Sequence, residues 1–345
     1  MKKSLIGKNL DEFSDLCSEL GVENFRSKQL FNWMYRNKVN DLTELKNLPK
    51  SLIDDLNIDY CIHPLELINS MNSINSNREK TNKFLFKNQN GALIESVLMN
   101  EKNRVTLCIS TQVGCALDCK FCATAKMGFK ENLSVGEILD QYLLAYQKIN
   151  EPITNIVFMG MGEPFLNYKN VIKAAKLLND PNGINMGSKR ITISTAGVIS
   201  KIEEFTKSKE KFKLAISLNG TTNEQRTSIM PINIKNSLDE LLNVSIKYTE
   251  TLNRWLTFEY VLLKEINDSV EDAKRLLSML AGMKKCKLNI IPYNETDGEF
   301  RRPDKDQIEN FVIALRPAKF PITVRWSKGT DIDAGCGQLA TRNQV

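Results

Sequence analysis

From Val105 onward the sequence alternates between two rhythms, and that alternation leaves few architectures open. Short β-rich runs (VTLCIS, NIVFMG, RITIS, KLAISL, WLTFEYVLL, KLNIIP and ITVRW) are separated by stretches of helical periodicity such as VGEILDQYLLAYQKI and VEDAKRLLSMLAGM. Strand–helix units of this length build a parallel sheet through right-handed crossovers. Seven strands fall a little short of a complete eight-fold barrel of roughly 250 residues. The expectation is an α/β fold, a partial (β/α)6-type barrel over residues 105–345. A flat doubly wound sheet is the competitor, and no G-x-G-x-x-G supports it.

The chain ahead of that rhythm reads differently. Residues 1–70 look like a helical accessory domain, with Phe13, Leu16 and Leu20, then Phe25, Leu30, Phe31 and Met34, recurring at helical spacing. Further helix starts are expected at Asp41 or Thr43 and at Pro49. Within this region Asn24–Lys38 carries Arg26, Lys28, Arg36 and Lys38 without an acid, interleaved with Phe25, Phe31, Trp33 and Tyr35. Such a mixture suits stacking on bases and pairing with phosphates. It also suits an amphipathic helix with aromatics inside and cations in solvent. Residues 71–104 read as a small β connector: a polar Asn/Ser-rich turn, then KFLFK and ALIESVLM joined by a hairpin turn at Asn90–Gly91.

Composition narrows the setting. No run of 18 apolar residues occurs, so no membrane span is expected. The stretch MKKSLIGKNLDEFSDL turns acidic before any apolar run, unlike a signal peptide. Eight cysteines without such a signal suit a reducing cytoplasm, where clustered thiols point to metal or catalysis. A net charge of +6 permits a polyanionic partner without requiring one. Nothing in the sequence indicates oligomerisation, so a monomer is expected.

In parallel barrels the chemistry gathers on the loops at the carboxyl ends of the strands. Here those loops carry the cysteine run VGCALDCKFCATAKMGF, Met161-Gly162-Glu163-Pro164, Ser194-Thr195, Ser217-Leu218-Asn219-Gly220, Tyr293-Asn294 and Gly335-Cys336-Gly337. Cys115, Cys119 and Cys122 form C-x3-C-x2-C, one thiol short of a closed site. A structural zinc takes four protein ligands, yet the next cysteine is Cys286 and the one histidine is His63. A [4Fe–4S] cube on three thiolates leaves one iron open to a small molecule.

That loop, with Phe121 before its last cysteine, resembles the radical S-adenosylmethionine superfamily. Together with Cys108 in TLCIST, the segment FMGMGEP and the tail DIDAGCGQLA, it resembles the RNA methyltransferases of the RlmN type over nearly the whole chain. The resemblance implies a [4Fe–4S] cluster on Cys115, Cys119 and Cys122, and two S-adenosylmethionine molecules per turnover. It implies methylation of adenosine C2 in 23S rRNA, at the peptidyl-transferase centre, and in tRNA next to the anticodon. On that pattern Cys336 carries the methyl group and Cys108 resolves a protein–RNA adduct through a transient disulfide with Cys336. Glu95 accepts the C2 proton. Gly162, Glu163, Ser194, Ser217, Leu218, Asn219 and Asn294 surround the cofactor. A flavodoxin- or ferredoxin-like reductant would feed the cluster.

Where the family commonly reads Ser-Leu-His, this chain has Ser217-Leu218-Asn219, and asparagine cannot be protonated. Two alternatives stay open: methylation at C8 of the same rRNA adenosine, and a non-catalytic iron–sulfur or zinc protein that binds RNA. Cys17, Cys61 and Cys286 read as ordinary apolar positions, and His63 as a loop residue.

Overall fold

The computed structural model describes residues 2–74, 79–149 and 151–341. Its frame is one ten-stranded open sheet: β1 (Leu65–Ile74), β2 (Lys80–Asn88), β3 (Leu93–Glu101), β4 (Arg104–Cys108), β5 (Asn155–Phe158), β6 (Ile191–Thr195), β7 (Lys213–Ser217), β8 (Leu256–Leu262), β9 (Cys286–Pro292) and β10 (Ile322–Val324). Spatial order follows chain order throughout. Strands β1 to β4 pair antiparallel, and β4 to β10 pair parallel. All seven expected barrel strands are present, and the sheet stays open at both ends. Every residue of β8 is buried, as a parallel strand covered on both faces requires.

The expected hairpin exists, with its turn at residues 89–92. Its strands are not a mere bridge, because they extend the same sheet. Strand β1 also begins inside the stretch read as helical. Pairing along β2 overrides the low strand propensity of its Asn and Ser residues, and a mostly exposed edge tolerates them. The centre of the Asn/Ser-rich turn, 75–78, lies outside the described residues.

The front segment holds α1 (Leu10–Glu19), α2 (Phe25–Asn32) and α3 (Lys50–Asp59). Asn9 and Glu12 form a reciprocal capping box on α1, satisfying donors that a helix start leaves unpaired. Of the aromatics in Asn24–Lys38, Phe31 and Tyr35 lie in the core with ring centroids 4.8 Å apart. Tyr35 accepts from the Gly7 amide and donates to the Lys8 carbonyl. Phe25 is exposed, with the Arg26 guanidinium 4.5 Å from its ring centre, and the Trp33 indole donates to Asn47. The amphipathic reading therefore accounts for half of this set.

His63 is more than a loop residue. Its Nδ1 meets Asp140 Oδ1, and Asp140 Oδ2 accepts the Leu65 amide at 3.0 Å. Asp140 is fully buried on α4 (Val135–Ile149), the crossover helix that precedes α5 (Tyr168–Asn179) and α6 (Ile199–Lys207). One carboxylate thus joins the end of the front segment to the first crossover helix. Replacing it leaves two buried donors unsatisfied, at about 1–3 kcal/mol each. Asp140→Ala should lower stability by about 3 kcal/mol, read from denaturant midpoints, and a loss below about 1 kcal/mol would show the joint to be redundant.

Candidate active site

The cysteine loop is closed at its neck before its thiols are placed. Gln112–Val113 pairs antiparallel with Glu131–Asn132, and the Cys115 amide donates to the Gly128 carbonyl at 3.2 Å. Gly114 makes this closure possible: it sits at φ +72°, and a Cβ there would come 1.7 Å from the Gly128 oxygen. Inside the loop the Cys122 amide bonds the Cys119 carbonyl, and one helical turn follows, Ala123–Lys126.

Burial pushes the Cys115 thiol up to about 12 and raises that of Cys119 well above its ordinary range. For Cys119 the neighbouring Cys122 and Cys115 are the next causes. Among the described residues no three His, Cys, Asp or Glu side chains converge on a single-ion position. Three thiols carried on one short loop fit a cluster that takes one thiolate per iron.

The loop after β5 docks on the root of this neck. Gly162, at φ +91°, faces Gln112 so closely that a Cβ would lie 2.4 Å from the Gln112 Cβ. Gln112 Oε1 accepts the Glu163 amide, and its Nε2 donates to Asn132. The buried Glu163 carboxylate accepts from the Phe165 and Ala196 amides, while burial pushes it up to about 7. Gln112 is a positioning residue that the motif reading passed over.

The loops after β6 and β7 meet on one buried side chain, Arg226 of α7 (Asn223–Ile229). Its Nε donates to the Leu218 carbonyl and its Nη1 to Asn233 Oδ1, both at 2.9 Å. Its Nη2 reaches the Ala196 and Ser217 carbonyls. Asn219 adopts a left-handed backbone at φ +54°, a conformation asparagine tolerates better than most residues. Its Oδ1 accepts the Val261 amide, its Nδ2 faces the Met230 sulfur and its carbonyl accepts from Asn267. Its side chain is occupied within the fold. Ser194 and Ser217 are half-buried and Leu218 is buried at the strand ends.

The C-terminal segment closes over the cysteine loop. The Ala123 amide donates to the Gly337 carbonyl at 2.8 Å and Thr124 Oγ1 to the Leu339 carbonyl at 2.6 Å. The buried Asn294 donates to the Cys336 carbonyl at 3.0 Å. Cys336 is exposed as a residue, although the surrounding protein still desolvates its thiol and pushes it up to about 11. Cys108 is pushed up to about 12 by burial first and by Cys336 second. All eight cysteines are free, so no disulfide joins Cys108 to Cys336 here.

Glu95 reaches the same tail. It is fully buried, with Oε1 3.2 Å from Lys83 Nζ and Oε2 accepting the Ala340 and Thr341 amides at 2.9 and 3.1 Å. Lys83 is 4% exposed and lies diagonally across the β2–β3 pair from Glu95.

Comparison with known proteins agrees with this geometry. Residues 109–277 match the family described as "Radical SAM superfamily", and residues 3–62 the family described as "Ribosomal RNA large subunit methyltransferase N-terminal domain". A Pseudothermotoga lettingae protein named "Probable dual-specificity RNA methyltransferase RlmN" is 40% identical over 341 residues, covering 99% of this chain and 98% of its own. A Clostridium novyi protein of the same name is 41% identical over 344 residues and 99% of both chains. The crystal structure of a radical SAM methyltransferase from Sphaerobacter thermophilus superposes with a TM-score of 0.93 at 38% identity, covering 97% of this chain and 98% of that one. With the three-thiol loop, the parallel sheet and the accessory segment all matched along its full length, this chain belongs to the RlmN family of dual-specificity RNA methyltransferases within the radical SAM superfamily.

Proposed function

We propose that this enzyme methylates C2 of adenosine in 23S rRNA and in tRNA, through a methyl carrier at Cys336. The observation that carries this reading is the docking of the Cys336 segment directly on the cysteine loop, with Cys108 and Glu95 on the adjoining strands. An aromatic C–H carbon such as adenine C2 offers no lone pair to a sulfonium methyl group, so ordinary transfer fails. A protein thiol can carry the carbon to C2, provided a base and a second thiol lie within reach.

When bound, the [4Fe–4S] cluster on Cys115, Cys119 and Cys122 and two S-adenosylmethionine molecules supply one methyl group and one 5′-deoxyadenosyl radical per turnover. The chain's own residues do the rest. Cys336, followed by Gly337 at φ +83°, presents its sulfur from a short loop between strand ends. Glu163 offers a carboxylate to the cofactor's ammonium. Ser194 and the segment Ser217–Asn219 line the approach, and Asn294 fixes the Cys336 carbonyl. Glu95 takes the C2 proton. Its Oε2 must first be released by the Ala340 and Thr341 amides, so tail movement and base availability are one event. Cys108 then attacks the Cys336 sulfur: the S–S bond forms as the bond from that sulfur to the transferred carbon breaks, and the carbon takes up a proton to leave the methylated base. An external reductant reopens that disulfide and supplies the cluster electron.

Residues 1–70 are assigned to gripping the RNA and 71–104 to joining them to the barrel at 105–345. Exposed Phe25 beside Arg26 is the best-placed pair for an unstacked base. Opening the RNA to present the adenine costs on the order of a few kcal/mol. No described helix is long and apolar enough to cross a membrane.

Three outcomes are expected. The Cys336 peptide from protein made with full cluster supply should be heavier by one methylene in mass spectra and unmodified in Cys115→Ala; an unmodified Cys336 in both would sink the carrier role. Cys108→Ala should accumulate protein crosslinked to RNA when cofactor and reductant are present. Normal product without a crosslinked band would remove Cys108 from the mechanism. The third concerns Glu163 in the protein without cofactor. Its carboxyl lies near 7 against 4.5 as its ordinary value, so the fold favours the protonated form. That contribution is complete below pH 4.5 and is lost as pH rises through 7, about 3 kcal/mol in all. Denaturation midpoints should show this decline relative to Glu163→Gln, and a pH-independent difference would refute it.

A further inference from the structure

Two cations are buried in the described structure, and they differ in one respect. Lys83 has a carboxylate, Glu95. Arg226 is completely inaccessible, and every acceptor it meets is neutral: three backbone carbonyls and one side-chain amide oxygen. No described ion pair includes it. Taking a guanidinium out of water without an anion is among the costlier arrangements a fold can hold. Burial pushes its pKa down to about 10, and the one opposing influence is Cys119. Such a cation fits a site whose anion arrives with a cofactor.

Its position says which anion. The helix carrying it, α7, ends at Ile229, whose carbonyl accepts the amide of Lys120, next in sequence to Cys119. Ala196 faces Arg226 with its carbonyl oxygen and Glu163 with its N–H. Gly220 leaves room for the arginine stem, since a Cβ there would come 2.7 Å from the Arg226 Cβ. We infer that Arg226 is the fixed counter-charge of the iron–sulfur cluster, a positioning residue that favours the reduced cluster and at the same time clasps the two loops beside the cofactor. This rests on the cluster reading above.

The reasoning is electrostatic. A cluster on three thiolates is net negative and gains a further negative charge when it accepts one electron from an external reductant. A buried cation nearby, unscreened by water, lowers the energy of the reduced form more than that of the oxidised form, raising the potential. Only arginine does both tasks, because its planar fork reaches carbonyls in several directions while staying charged.

The test is an anaerobic dithionite titration of the full-length reconstituted protein, with the reduced cluster followed by electron paramagnetic resonance. Arg226→Gln should move the midpoint potential more negative by at least 59 mV, a tenfold loss in the one-electron reduction equilibrium. Arg226→Lys should stay within that interval of the unmodified protein while binding S-adenosylmethionine more weakly. Asn233→Asp places a carboxylate on Arg226 Nη1 and neutralises it in place, so it should reproduce the negative shift with the arginine retained. If Arg226→Gln fails to hold a cluster, Asn233→Asp decides. An unshifted potential in Asn233→Asp would overturn the proposal and leave Arg226 as a loop clasp. The spectrum of the unmodified reconstituted protein reports separately on whether the three thiols hold a [4Fe–4S] cluster at all.

Discussion

Seven strands running the same way oblige every chain reversal between them to be a crossover, and each strand then delivers its carboxyl end to one edge of the sheet. Everything chemical in this protein follows from that constraint. The cysteine loop leaves β4, Glu163 follows β5, Ala196 follows β6, Ser217–Asn219 ends β7, Asn294 follows β9 and Cys336 follows β10. Residues spread over more than two hundred positions meet without any one segment being long or specialised. The antiparallel extension β1–β3 adds a second carboxylate, Glu95 on β3, entering from the side.

Meeting at an edge does not by itself fix a geometry. Here the loops are tied to one another through backbone groups, with side chains as connectors. Gln112 binds the β5 loop to the cysteine neck, Glu163 binds the β5 and β6 loops, and Arg226 binds the β6 and β7 loops to α7. Each connector satisfies donors or carbonyls that an irregular loop would otherwise bury unpaired, a cost comparable to the hydrogen bonds gained. The tight glycines serve the same end, since Gly114 and Gly162 lie where any side chain would push two loops apart.

This explains which parts were legible in the sequence. Periodicity reports burial, so all seven barrel strands, the hairpin and the helix starts near Asp41 and Pro49 could be read from residue pattern alone. Thiol spacing is local, so the three-cysteine loop stood out as well. Partnerships across loops leave no local trace. The residue pattern singled out neither Lys83 nor Arg226, and His63 read as a loop residue. Each became informative only when the fold supplied the group opposite: Glu95, three carbonyls and Asp140. Asn219 was legible as a departure from pattern, yet its cause is conformational. A left-handed backbone at that position suits asparagine, whose amide is then consumed by Val261 and Met230.

On the proposed mechanism the remaining demand on the site is motion, because the Cys336 thiol would have to face both a cofactor and a nucleobase. The Cys336 segment is held by hydrogen bonds from Ala123, Thr124 and Asn294, and by the bond Gln338 donates to the Glu295 carbonyl. These contacts are neutral, and each contributes on the order of 1 kcal/mol once exchange with water is counted. Loosening the segment therefore costs about what unstacking one base costs, and an RNA that inserts a base against it can supply both. The bonds from Ala340 and Thr341 to Glu95 differ in kind, since their acceptor is the carboxylate itself. While they hold, the tail is seated and the carboxylate's Oε2 is taken. When the tail lifts, Cys336 moves and Glu95 Oε2 parts from these two amides in one movement, which in the proposed mechanism would ready the proton acceptor as the carrier sulfur reaches the RNA.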